Sequence, residues 1–191
     1  MRFVLASGSP RRAQLLASAG LTPSIVPARD LDESWRPPES PVAYTRRLAE
    51  EKGVAVAATV DEPAVLLAAD TTVWFQDEPI GKPRDRAHAH AMLSQLTAGT
   101  PHRVTTACAV LAPDRKTAVI DVTTTVSMRR VPPAELQRYL DGEEWTDKAG
   151  GYAIQGGAAS FVTRIDGSYT NVVGLPLAEV IELLAARGIV G

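Results

Sequence analysis

Cysteine is nearly absent: the 191 residues include one, Cys108. No intramolecular disulfide can form, which fits a reducing compartment and leaves the fold to its packed core. Cys108 sits in the apolar alternation VTTACAVLA, the pattern of a buried strand residue rather than of a reactive thiol. Histidine is scarce as well. His88 and His90 lie two apart on an expected helix and so point to different faces, while His102 opens an expected strand, which argues against a histidine metal site. Of the ten aromatics, Trp74, Tyr152, Phe161 and Tyr169 fall in strand-like runs and read as core, not as a platform for stacked bases. No apolar run approaches the roughly 18 residues of a membrane span, and the run at residues 3–6 is far shorter than a signal-peptide core. Neither sign of charge dominates, since the net charge is -2, so a broad basic surface for nucleic acid or lipid headgroups is excluded. Zinc spacings, a GxSxG nucleophile turn, a GxGxxG fingerprint and a GxxxxGK[ST] phosphate loop are all missing. The expectation is a cytoplasmic protein with neither a nucleic-acid nor a membrane partner.

What is present is ordinary globular material: 45% hydrophobic residues, no repeat, no low-complexity tail and no linker, hence one domain over residues 1–191. Apolar alternation predicts strands at 3–6, 24–27 and 64–75, the last ending or bending at Asp70, and a hairpin of two long strands around PDRK. Helical spacing predicts helices at 10–19, 41–57 and 84–96, a short one in PPAELQRYLDG and a closing one in PLAEVIELLAARG. The segment 143–175 reads as loop, strand and turn. Helices and strands alternate with a hairpin among them, so the expected fold is α/β with a mixed central sheet flanked by helices.

The opening stretch LASGSPRRAQLLASAG poses a physical problem. Ser9 suits an N-cap, Pro10 the first helical position and Gly20 the stop, but Arg11 and Arg12 place cations in the first turn, against the helix dipole by about 0.3–1 kcal/mol each. Either they are solvated surface arginines, or phosphate oxygens sit over the turn and accept their hydrogen bonds, with Ser7 and Gly8 allowing close approach. Asp70 ends the apolar VLLAAD, where it either caps a turn or holds a metal or activates water. Lys82 in IGKP, Lys52 and Glu33 each pass alone as surface charges. Together, four cations and two carboxylates make a set suited to a polyphosphate with a divalent metal.

The motifs LASGSPRR, DESWRPPESPVAYTRRLAEEK, AADTTV, IGKP, DKAGGYAIQGGAASFV and IDGSYTNVVGLPL, in this order from residue 3 to about 185, resemble the Maf family of nucleoside triphosphate pyrophosphatases. The resemblance implies an elongated, two-lobed α/β fold of the Maf and inosine triphosphatase kind with a cleft, often a homodimer. It implies hydrolysis of a nucleoside triphosphate to the monophosphate and pyrophosphate with Mg²⁺ or Mn²⁺. Asp70 takes the role of general base, and Ser7, Arg12, Lys52 and Lys82 bind substrate. Glu33 and Asp70 ligate the metal, and Arg11, Thr71 and Gln155 bear on base choice. The TDKAGGYAIQGG segment is similar to the branch acting on dTTP and UTP, and a glutamine amide can both donate to and accept from a pyrimidine edge. Two alternatives stay open: a nucleotide-binding regulator of cell division without significant turnover, and a pyrophosphatase for modified purine triphosphates.

Overall fold

A long, doubly buried strand organises the chain. In the computed structural model, which describes residues 2–114 and 116–190, the elements run β1 (Arg2–Ala6), α1 (Pro10–Ser18), β2 (Ser24–Ile25), α2 (Pro41–Ala57), β3 (Ala64–Phe75), β4 (Glu78–Ile80), α3 (Arg86–Leu96), β5 (His102–Leu111), β6 (Thr117–Met128), α4 (Pro133–Asp141), β7 (Val162–Asp166), α5 (Tyr169–Val173) and α6 (Leu177–Ala185). Short 3₁₀ turns occupy Ala149–Gly151 and Gly157–Ser160. The sheet order is β2-β1-β3-β5-β6-β7, with β4 also on β3. β1 is parallel to β2 and β3 while the other pairs are antiparallel, the mixed sheet that the sequence predicts. The hairpin also forms as expected; Arg115 in its PDRK turn, and Met1 and Gly191 of the expected domain, lie outside the described residues.

Side-chain alternation along β3 sends residues to different cores. Leu66 and Ala68 meet Ala49 and Val56 of α2, while Val65, Leu67 and Ala69 meet Leu16 of α1 and Val180 and Leu184 of α6, together with Cys108. Val73 and Phe75, further along, belong to a separate core with Leu93 and Leu96 of α3 and Leu136 and Leu140 of α4. The sheet thus carries two lobes, joined by β3 and β5. Helix α1 stops as its sequence dictates: Gly20 adopts φ +78, and the N–H groups of Gly20 and Leu21 return to the carbonyls of Ala17 and Leu16, a Schellman closure.

Several expectations need correction. β3 neither ends nor bends at Asp70 but pairs with β5 from Leu66 to Trp74, because Thr71–Phe75 continue the β-favouring pattern. Ser9 occupies the N-cap position of α1 without a side-chain cap bond; its N–H donates to Ser7 Oγ at 3.2 Å instead. β2 shrinks to Ser24–Ile25. Tyr169 is neither strand nor core: it opens α5, a helix the sequence does not suggest, and is 46% exposed. Tyr152 and Phe161 likewise lie outside any strand, although both are buried. Five residues give too short a window for helical periodicity, and α5 is started by Ser168 Oγ accepting from the Asn171 N–H at 3.2 Å.

His102 is 1% exposed and meets the Tyr152 hydroxyl at 2.8 Å through Nε2. Burial lowers its pKa from the ordinary 6.5 to about 4. The folded protein keeps this imidazole neutral where the unfolded chain would already take a proton, so stability from this group is lost as pH falls from about 6.5 towards 4. The maximum loss is about 3 kcal/mol. Denaturant unfolding at pH 7 and pH 4.5 should show this loss, and His102→Gln should flatten the profile; an unchanged slope in the variant would exclude His102 as its source.

Candidate active site

The outer edge of β3 is paired in two places with a gap between them. β1 covers it as far as Ala68, β4 covers it from Val73 onward, and residues 70–72 between them line an open cleft. A cavity of about 800 Å³ lies there, lined by Ser7, Glu33, Lys52, Asp70, Lys82 and Gln155 among others. That volume suits a nucleotide-sized ligand.

Three of the expected residues meet at one point. Lys52 Nζ lies 2.6 Å from Asp70 Oδ1 and 2.7 Å from Glu33 Oε1. Lys52 is no solvated charge: on α2 it follows Tyr44 and Leu48 at intervals of four, so it shares their sheet-facing stripe, and its side chain is 15% exposed. Gly53 beside it lets α2 lie close to the sheet, since a Cβ there would stand 2.5 Å from Leu111 Cδ1 and 3.3 Å from Ala68 Cβ. Asp70, 6% exposed, is held at its other oxygen by Thr72 Oγ1, which donates at 3.1 Å. Glu33 comes from the long loop before α2, which is fastened by Tyr44. The Tyr44 hydroxyl donates to the Glu33 carbonyl at 2.7 Å, and its ring packs edge-on against Trp74, as does Trp35. Burial and then the charge of Asp70 push the Tyr44 phenol up to about 12, so it stays a donor at neutral pH.

Arg12 resolves the problem of cations in a first turn. Its guanidinium leaves its own helix and crosses to the end of α5, where Nε donates to the Gly174 carbonyl at 2.8 Å. Nη1 donates to Ser7 Oγ at 2.9 Å and Nη2 to Thr71 Oγ1 at 3.0 Å. The cation therefore opposes one helix start while satisfying the carbonyl end of another. Burial depresses its pKa, and Asp70 partly offsets this.

Arg11 and the exposed Lys82 and Gln155 line the same cavity. Burial, then Arg12, lowers the Arg11 pKa. Thr71 is at the cavity too, with its hydroxyl bonded to Arg12 and 2.9 Å from Thr106 Oγ1. All nine residues singled out from the sequence thus border one cleft, each with cavity-lining atoms. Lys148 is a further cation there that the residue-by-residue reading missed. Its pKa is lowered by burial first and then by Arg11, with Lys82 contributing. The loops of Lys82 and Lys148 are stitched together by the Gly150 N–H on the Gly81 carbonyl, at 3.0 Å. The available signal was the glycine pair after Lys148, both left-handed at φ +72 and +71, which marks a fixed backbone rather than a slack loop.

Glu33 and Asp70 converge on a single cation, the Lys52 ammonium. Among the described residues no group of three or more His, Cys, Asp or Glu is placed to hold a metal. Two carboxylates, completed by phosphate oxygens and water, nonetheless match how Mg²⁺ is commonly bound, so the donor set fits a metal that arrives with a nucleotide.

Comparison with known proteins agrees with this geometry. The family described as Maf-like protein matches residues 2–187. A protein of Roseobacter denitrificans named dTTP/UTP pyrophosphatase is 47% identical over 97% of this chain and 97% of its own. One of the same name from Citrifermentans bemidjiense is 48% identical over 99% of this chain and 97% of its own. In fold, the chain is similar to a HAM1 protein from Coxiella burnetii, with a TM-score of 0.52 at 13% identity, covering 97% of this chain and 99% of that one. None of the described helices is long and apolar enough to cross a membrane. With its motifs gathered around one cleft and the family match spanning nearly its whole length, this chain belongs to the Maf family.

Proposed function

We propose that this protein hydrolyses dTTP and UTP between the α and β phosphates, releasing the nucleoside monophosphate and pyrophosphate. The observation that carries the reading is the meeting of Asp70, Lys52 and Glu33 at the gap in the edge of β3, beside the half-buried Arg12. Relatives of near-full coverage named dTTP/UTP pyrophosphatase support the choice of substrate.

The phosphate chain binds over the start of α1. Ser9 leaves the first-turn N–H groups without a side-chain cap, so those of Arg11 and Arg12 are available to an anion. Arg12 has five N–H donors, of which three are bonded within the protein; the other two, one on each Nη, suit two phosphate oxygens. Lys82 and Lys148, which line the same cavity, add positive charge. Preorganised cations of this kind stabilise the charge that develops on a departing pyrophosphate.

Glu33 and Asp70 would hold the divalent cation, Mg²⁺ or Mn²⁺. When bound, it supplies charge neutralisation along the triphosphate. Lys52 then exchanges its carboxylate partners for phosphate oxygens. Asp70, with Oδ2 fixed by Thr72, orients the attacking water and takes its proton. Arg11 and Gln155, which line the cavity, are assigned to reading the base; the Gln155 side chain makes no hydrogen bond within the described protein that would have to be broken first. The proposal includes a cytoplasmic location and a homodimer, the latter checked by light scattering.

A panel of normal and modified triphosphates with Mg²⁺ or Mn²⁺ should yield UMP and dTMP with pyrophosphate, and EDTA should stop the reaction. Diphosphate with inorganic phosphate would contradict the cleavage site, binding without turnover would favour a sensor, and preference for modified purines would move the substrate class. Asp70→Asn should slow turnover by about 10³ or more while the variant keeps the folded far-UV circular dichroism spectrum; retention of over about a tenth of wild-type activity would remove Asp70 from the role of base. Gln155→Ala should shrink the ratio of kcat/KM for dTTP over dATP by about tenfold, whereas an equal drop for both would mean that Gln155 does not choose the base.

A further inference from the structure

Thr71 and the segment that follows β7 are tied together in a way that no contact with substrate explains. Thr106 and Asn171 are both 0% exposed and neither lines the cavity. Asn171 fixes α5 to the sheet: its Nδ2 donates to the Val104 carbonyl and to Thr124 Oγ1, each at 2.9 Å. Its own carbonyl accepts from Thr106 Oγ1 at 3.0 Å.

A hydroxyl has a single proton, and this sets the direction of the chain of bonds. Thr106 spends its proton on the Asn171 carbonyl. The short contact between Thr106 and Thr71, 2.9 Å, is then a bond in which Thr71 donates. The Gly174 carbonyl is a second, longer acceptor for the Thr71 hydroxyl, at 3.4 Å, and Thr71 Oγ1 accepts from Arg12 Nη2 at 3.0 Å. The shorter contacts run from Arg12 to Thr71 to Thr106 to Asn171. The second hold on Arg12 also comes from this segment, at the Gly174 carbonyl. Gly174 has φ +128, a conformation that favours glycine, and a Cβ there would stand 3.6 Å from Thr71 Oγ1 and 3.9 Å from Arg12 Nε.

We propose that Thr71 is a positioning residue: anchored to Asn171 of α5 through Thr106 of β5, it fixes the Arg12 guanidinium so that the two unspent N–H groups meet the phosphate chain. The inference rests on the reading of Arg12 as a phosphate ligand. Its consequence is that losing the hydroxyl weakens every nucleotide alike, because all share the same triphosphate.

The test compares Thr71→Val, Thr71→Ser and Thr106→Val in the wild-type and Arg12→Ala backgrounds, with dTTP, UTP and dATP. Thr71→Val should lower kcat/KM by about tenfold and by the same factor for all three. Thr106→Val, which removes a hydroxyl that no substrate reaches, should do the same, and Thr71→Ser should stay within about twofold. In Arg12→Ala, Thr71→Val should add under about twofold, the coupling expected of one unit. Without any nucleotide, the Arg12 guanidinium ¹H–¹⁵N signals should shift in Thr71→Val and Thr106→Val but not in Thr71→Ser. A changed dTTP to dATP ratio in Thr71→Val, an additive loss in Arg12→Ala, or unmoved Arg12 signals would each overturn the proposal. If Arg12→Ala itself leaves kcat/KM unchanged, the phosphate role of Arg12 fails, while the signals still decide whether Thr71 positions it.

Discussion

Backbone pairing on the outer edge of β3 stops at Ala68 and resumes at Val73, and the site exists because of that interruption. On its other edge β3 is paired with β5 throughout this region, so the strand is stiff where it faces the cleft. A carboxylate at Asp70 is therefore held by a rigid element yet left accessible. A strand that ended at Asp70 would have placed the same acid on a loop, with less control over its direction. Each lobe packs its own core against this strand, so the wall of the cleft is also the joint of the fold.

The most buried charges of this cleft are partnered before any ligand arrives. Lys52 bridges Glu33 and Asp70, and Arg12 is satisfied by a carbonyl and two hydroxyls. Buried charges left unpaired would cost several kcal/mol each, so the pairs protect the fold. Lys52 meets two acids, while Arg11, Lys82 and Lys148 bring three further cations to the same cavity, where Asp147 also lies.

Several hydroxyls have structural duties that compete with direct contact. Ser7 Oγ accepts from both Ser9 N–H and Arg12 Nη1, which stiffens the opening turn. Thr72 holds one oxygen of Asp70, and Thr71 holds Arg12. Successive residues of β3 alternate in direction, so adjacent threonines serve groups on opposite sides of the strand. Tyr44 and Trp35 do comparable work for the loop of Glu33, which has no regular structure of its own to direct it.

Local rules determined much of this protein. Apolar period and end signals located α1, α2, the β5–β6 hairpin and the closing helix, because in those segments propensity, pattern and caps agree. Motif resemblance supplied the reaction class and the residues that border the cleft. Tertiary structure alone decided how those residues meet. Lys52 looks like a surface charge until α2 is laid on the sheet, when its stripe with Tyr44 and Leu48 turns it to Asp70. Asp70 looks like a strand terminus because the neighbours that stop beside it, β1 and β4, are distant in sequence or unpaired until the sheet forms. The two bonds that take Arg12 across to Thr71 and Gly174 span 59 and 162 positions. Side-chain period and helix caps report on interactions within a few residues, and such long closures leave no trace in either.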